Sequence, residues 1–324
     1  MKKIILAFTL LTHISVFSQN GLNEFLNNVV IDGSLQDSKV LLEGYMSPFG
    51  SALGAGLNNG WYNTAKPHKL GGFSVTSGLG FILIPSSAET FNPSNNLNQF
   101  QIEGDPNIPT FFGPDNTSSE ITFNGENLFS AQVGIDLPTL PVPYFQASIG
   151  GPKSTDILFR FVPKQIKSIE NMEFKYWGIG FKHDLLQWIP VANKIPIDLS
   201  YLISYSKLSN TYNINQIGDK NLDFKVRGLN QYLCLSKKLS FITVYSGVGY
   251  QFSNSRLRLN GDYVLNNGII ITDPFDFNFG GVNGFKTDVG LRMKILLCTV
   301  HAQWTRAEYN IFTFGVSLTT DGLY

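Results

Sequence analysis

Residues 285–319 read FKTDVGLRMKILLCTVHAQWTRAEYNIFTFGVSLT, and three runs within them alternate. Phe285, Val289, Leu291 and Met293 take one side of a period of two, with Lys286, Asp288, Arg292 and Lys294 on the other. Leu296, Cys298, Val300, Ala302 and Trp304 oppose Thr299, His301, Gln303 and Thr305. Phe312, Phe314, Val316 and Leu318 oppose Thr313, Gly315, Ser317 and Thr319. Successive side chains of a strand point to opposite faces, so each run has an apolar and a polar face. A soluble sandwich alternates too, because its inner face is buried. Large apolar side chains repeated strand after strand, opposite charges suited to a wet lumen, favour a membrane barrel.

The same period extends toward the N-terminus. Phe73, Val75, Leu79, Phe81 and Leu83 oppose Ser74, Thr76, Gly78 and Gly80, and Tyr144 to Gly150, Asp156 to Val162 and Met172 to Lys182 continue the series. Ile195, Ile197, Leu199, Tyr201, Ile203 and Tyr205 oppose Asp198, Ser200, Ser204 and Ser206. Residues 222–236 and 238–252 read as a hairpin turning at Lys237-Lys238, the facing of its first strand being mixed. Counting further strands inside the long connections, an even total of about 10–14 is expected. Connections 85–142, 164–170, 208–221 and 253–283 are long or polar, and they alternate with short turns near 151–154, 237–238 and 294–296. Outer-membrane barrels have short periplasmic turns and longer outer loops. Residues 183–194, HDLLQWIPVANK, break the alternation, and Leu185, Leu186, Trp188 and Ile189 are expected at the membrane boundary.

Lys2 and Lys3 precede an apolar run from Ile4 to Phe17, which with Val16-Phe17-Ser18 reads as a cleavable signal peptide over residues 1–18. No Cys follows it, so no lipid anchor is expected there. No later apolar stretch reaches the ~18 residues of a transmembrane helix. Residues 19–70 read as an N-terminal plug segment and 71–324 as the barrel, located in the cell outer membrane with its lipid as surroundings. A formal net charge of +0 argues against nucleic acid as a partner. Cys234 and Cys298 both lie in strand-like runs, and whether they pair is left open.

The stretch Tyr45–Phe73, YMSPFGSALGAGLNNGWYNTAKPHKLGGF, carries six glycines and two prolines, so no long helix or strand is expected across it. Yet Tyr45, Phe49, Leu53, Leu57, Trp61 and Tyr62 supply large apolar groups, and the segment is expected inside the barrel, or else packed on its surface. Before it, Leu22, Phe25, Leu26 and Val29, and then Leu35, Val40, Leu41 and Leu42, have helical spacing. These predict short helices, the second capped by Asp32 and ended by Pro48. The fold class is therefore all-β: a transmembrane antiparallel β-barrel with a Gly-rich, partly helical plug.

No enzymatic motif emerges: the mature chain has only His68, His183 and His301, and there is no GxSxG, HExxH or metal-spaced group. No catalytic residue, metal or cofactor is expected. By parity Asp156, Arg160, Lys286, Asp288, Arg292 and His301 face the lumen. They read either as a selectivity lining that anchors an anionic head group or as charges that stabilise a wet lumen and hold the plug. An Arg at Val289 or Phe314 would meet lipid, whereas one at Thr313 is expected to be tolerated.

The Gly-rich GSALGAGLNNGW and the runs YWGIGFKHDLLQWIP and IPIDLSY resemble an uncharacterised family of Bacteroidetes outer-membrane proteins. That family is in turn similar to the FadL-type long-chain fatty-acid transporters. The resemblance implies a plugged barrel that admits hydrophobic, fatty-acid-like molecules, with Phe49, Trp61 and Tyr62 as the ligand-contacting candidates. The other function in view is a structural or partner-binding barrel, for example an accessory to surface-protein export, with no transport activity.

Overall fold

The computed structural model describes residues 34–161, 168–169, 172–189, 196–213, 220–264 and 270–320. Ten strands form an antiparallel ring: β1 (Phe73–Leu83), β2 (Thr139–Gly151), β3 (Thr155–Phe161), β4 (Met172–Asp184), β5 (Asp198–Asn213), β6 (Asn221–Leu239), β7 (Ile242–Asn260), β8 (Asn283–Ile295), β9 (Cys298–Arg306) and β10 (Ile311–Thr319). Each strand pairs with its sequence neighbour. β1 closes the ring on β10, with Leu79 opposite Phe314. A closed ring leaves no unpaired edge, which is what lets strands cross a lipid bilayer. The further strands expected in the long connections exist but stay outside the ring. Residues 100–130 carry a three-stranded sheet, and Phe275–Phe279 pairs only with the upper part of β7.

The period of two sets the facing. On β8, Lys286, Asp288 and Arg292 are buried while Val289, Leu291 and Ile295 are exposed. The facing of β6 follows from its register: Asn230, Tyr232, Cys234 and Ser236 point inward, and Leu229, Leu233 and Leu235 outward. Cys234 is buried, Cys298 is exposed on the outside, and both thiols are free. The β6–β7 turn is not at Lys237-Lys238. Pairing continues to Leu239 opposite Ile242, and Ser240, at φ +58°, makes the turn with Phe241. Turns 152–154, 240–241 and 296–297 thus lie at one end of the barrel, and the 84–138 and 261–282 connections at the other.

The plug departs most from expectation. One helix, α1 (Leu35–Leu57), runs through Pro48 and four glycines instead of ending at Pro48. Its N-cap is Ser34, whose hydroxyl accepts from the Asp37 amide at 3.3 Å. Asp32, the Leu22–Val29 pattern, the signal peptide and Tyr324 lie outside the described residues. An interior Gly costs a helix about 1 kcal/mol and Pro about 3 kcal/mol relative to Ala, so propensity alone would break it. Enclosure outweighs that. A Cβ on Gly54 would sit 2.0 Å from Ser253 Oγ, and one on Gly50 2.6 Å from Ser255 Oγ, so these glycines let the helix backbone lie directly on β7. On other faces Leu41, Leu42, Tyr45, Met46 and Leu53 join Phe111, Phe112, Phe224 and Phe279 in an apolar core, at about 25 cal/mol per Å2 removed from water.

The direction of the thread follows from its contacts. At the long-loop end, the buried Asp37 carboxylate accepts from the amides of Asn98, Gln99 and Phe100 at 2.9, 2.7 and 2.8 Å. At the short-turn end Gly150 donates its amide to Gly72, just before β1. The chain therefore descends the whole lumen before the first strand begins.

Burial pushes the Asp37 carboxyl up, but the amides of Phe100, Gln99 and Asn98 and the Ser34 hydroxyl outweigh it and hold it below the ordinary carboxylate value. A depressed carboxyl stabilises above its unfolded pKa of about 3.9 and loses that contribution as pH falls through the lower folded value. Hydrogen exchange at the 98–100 amides should accordingly rise only at acid pH in the wild type, and at all pH in Asp37→Asn. In a second test, Gly54→Ala should destabilise α1 docking by about 1–3 kcal/mol through overpacking. Adding Ser253→Gly should restore most of it, as read from urea midpoints followed by limited proteolysis.

Candidate functional site

The lumen is occupied by α1 and the extended segment that follows it, so the candidate site is the interface between this plug and the wall. The last turn of α1 carries no basic residue. The wall supplies the cations. Arg160 of β3 donates through Nη1 to the Leu57 carbonyl at 3.4 Å, and Lys286 of β8 donates to the Asn58 carbonyl at 2.7 Å. These carbonyls form the negative end of the helix dipole, where cations are favoured. The Trp61 indole also donates to the Leu57 carbonyl, at 3.0 Å. Arg160 lies against two aromatic faces, with its guanidinium carbon 4.0 Å from the Trp61 ring centre and 4.3 Å from that of Tyr144, and its Nε donates to Gln146 Oε1 at 2.9 Å. Lys286 sits 4.5 Å from the Tyr232 ring centre. Stacking of this kind attracts a desolvated cation.

Farther down, Tyr62 donates its hydroxyl to Asp288, and its ring lies 5.5 Å from both Tyr232 and Tyr245. Thr305 donates to Asn59 Oδ1 at 2.8 Å. Gly178 and Gly180 of β4 make the slot for Trp61, because a Cβ on either would lie within 3.1 Å of the indole. Near the short-turn end Asp156 gathers three groups: the His68 amide at 2.8 Å, His68 Nδ1 at 3.0 Å and Lys182 Nζ at 3.1 Å. Lys182 also donates to the carbonyls of Thr64 and Lys66 at 3.2 and 3.3 Å.

All six charged candidates are buried on the lumen side. Asp156, Arg160, Lys286 and Asp288 bond plug atoms directly. His301 Nδ1 lies 3.5 Å from Asn63 Nδ2, and its Nε2 lies 3.3 Å from the Tyr144 hydroxyl. Arg292 lines a cavity of about 20 Å3 together with Trp61, Asn63, His68, Gln146 and Lys182. That volume holds about one water. The three ligand candidates are not brought together. Phe49 packs against the upper apolar core, 4.5 Å from the Phe111 ring, whereas Trp61 and Tyr62 belong to a separate cluster with Leu158, Leu202 and Tyr245. Thr313 is wholly buried and accepts from Asn59 Nδ2 at 2.5 Å, so an Arg there would meet a filled lumen and should displace the plug, against the tolerance expected of an empty one.

Two functional contacts escaped sequence reading. Lys182 shares the inward parity of Gly178 and Gly180, a signal that was present on β4. His68 had none, since no period governs an extended plug.

A family model described as "Family of unknown function (DUF6588)" matches residues 1–320. The chain belongs to this family. No curated protein matches it. Among solved structures, this DUF6588 chain is similar to Ail, the attachment invasion locus protein of Yersinia pestis, at 7% identity over 77% of this chain and 99% of that one, with a TM-score of 0.22. It is similar to the outer membrane protein Omp33 of Acinetobacter baumannii at 7% identity over 76% and 97%, with a TM-score of 0.27. The toluene transporter TodX of P. putida follows at 10% identity over 78% and 68%, with a TM-score of 0.26. Likeness at this level carries no functional information, and the barrel rests on this chain's own strand register.

Removing one member of a buried ion pair strands the other, at about 3–5 kcal/mol. Asp156→Ala should therefore loosen residues 64–70, raising their hydrogen exchange. The ring should keep the heat-resistant mobility of a folded barrel on gels, because its strands satisfy their own backbone bonds.

Proposed function

We propose that this chain is a closed outer-membrane barrel of the structural or partner-binding kind, presenting its long-loop cap at the cell surface while the plug seals the lumen. The observation that carries this reading is the chemistry of the plug–wall interface. Between Asn58 and His68 the plug is tied to β2, β3, β4, β6, β8, β9 and β10 by buried polar contacts, and the space left beside Trp61 is about 20 Å3, with His68, Gln146, Lys182 and Arg292 interrupting the apolar surface of Trp61 and Leu158. A path for hydrophobic molecules would need apolar walls of a width that admits a hydrocarbon chain. The charged residues of the lumen serve in this reading to hold the plug, not to select a solute.

Passage of hydrophobic molecules, as in the FadL type, is favoured by a different observation. In the upper lumen Phe49 packs with Phe111, Phe112, Phe224 and Phe279, an apolar layer beneath the cap into which a hydrocarbon tail could insert only if α1 shifts. One pair of measurements separates the readings. Liposomes carrying the full chain should neither swell with small sugars nor admit a fluorescent fatty acid faster than empty liposomes. Fatty-acid entry that falls on Phe49→Ala would overturn the closed-barrel reading in favour of transport, and sugar swelling would overturn both.

A further inference from the structure

The outward belt of the barrel ends differently at its two rims. Toward the long loops it stops at a change of chemistry: on β7 Val248, Tyr250 and Phe252 give way to the exposed Arg256 and Arg258. Toward the short turns it does not stop. Leu239 and Phe241 on one turn, and Ile295 and Leu296 on another, carry the apolar surface to the last residue of the barrel, with Leu296 87% exposed. Leu70, where the plug leaves the lumen, is 77% exposed, and Trp188 in the β4–β5 connection is 61% exposed. A soluble rim facing water would place polar residues at these tips, where a turn tolerates them without cost to the ring.

Among the described residues the fully exposed charges on this rim are lysines. Lys153, Lys237 and Lys238 are exposed beside the apolar tips, and Lys153 Nζ lies 5.9 Å from the Trp188 ring centre. The nearby acids are engaged locally. Asp184 accepts the Leu186 amide at 2.9 Å, and Asp198 accepts the Ser236 hydroxyl at 3.2 Å. Apolar tips continuous with a lipid-facing belt, flanked by lysines, match a layer in which hydrocarbon adjoins phosphate.

We propose that the short-turn rim is a binding surface for anionic phospholipid. Leu70, Trp188, Phe241 and Leu296 seat among the acyl chains of the periplasmic leaflet, and Lys153, Lys237 and Lys238 meet the phosphates. The proposal rests on the barrel lying in a membrane, and its test keeps the two apart. The full chain is placed in vesicles whose lipids carry brominated tails, with either phosphatidylglycerol or phosphatidylcholine heads. The share of Trp188 is read as the difference between wild type and Trp188→Phe. Trp188 should be quenched by the brominated tails and shielded from aqueous acrylamide, and the quenching should be stronger with phosphatidylglycerol. Lys237→Gln and Lys238→Gln should each weaken that preference by up to about fivefold, the equivalent of ~1 kcal/mol per lysine near an anionic surface.

If Trp188 is quenched by acrylamide while the belt residues Trp177 and Trp304 are quenched by lipid, the rim faces water or an acidic periplasmic protein and the proposal is overturned with the barrel intact. Acrylamide quenching of all three would instead remove the membrane reading itself. Equal quenching in both lipids, unchanged by the lysine substitutions, would overturn the head-group assignment.

Discussion

The structure depends on two wall cations meeting the end of one helix. α1 terminates in the middle of the lumen, where its last carbonyls have no water in bulk and no basic residue of their own. Arg160 and Lys286 take those carbonyls from opposite parts of the ring, on β3 and β8. Each cation is in turn held by an aromatic face, Trp61 or Tyr144 for Arg160 and Tyr232 for Lys286. A buried guanidinium or ammonium without such partners would cost several kcal/mol. Helix, cations and aromatics therefore require one another, and the rest of the lumen is arranged around that arrangement.

From this follows the division of the interior into two layers. Above the helix end the plug meets the wall through apolar packing, Phe49 with Phe111 and Phe224. Below it the plug is extended, its backbone groups are no longer satisfied by helix bonds, and the wall supplies polar partners such as Ser236 for the Ala65 amide and Asp156 for the His68 amide. Polar wall contacts to the plug backbone therefore multiply where helix gives way to extended chain, around the smaller apolar cluster of Trp61 and Tyr62, because a helix closes its own hydrogen bonds and an extended strand in a lumen does not.

The ring was legible in the sequence because its signal is periodic. Ten runs of alternation became the ten strands, and the parity that sent Lys286, Asp288 and Arg292 inward needed only the period of two. Turn positions were less legible: Lys237 and Lys238 look like turn residues, but cross-strand register carried pairing on to Leu239. The helix was misread through its glycines. Local propensity counts Gly50 and Gly54 as breakers, while the structure uses them as contact points against Ser255 and Ser253, partners some two hundred residues away that no local window contains. The candidate site was half visible. Wall charges obey parity, but their partners on the plug, His68 and the carbonyls of Leu57 and Asn58, follow no pattern that a sequence displays.

The plug is also part of the same covalent thread as β1. It enters among the long loops at Ser34 and leaves among the short turns at Gly72, where the Gly150 amide fastens it to the first strand. A cork can be pulled; a thread fixed at one end and wound through a closed ring cannot leave as a body. Withdrawal toward the short turns would have to drag everything attached before Ser34 down the lumen, and withdrawal outward is stopped by the bond to β1. Assembly carries the mirror-image constraint: either the seam between β1 and β10 closes around the thread, or everything before Ser34 has to pass up through a ring already closed.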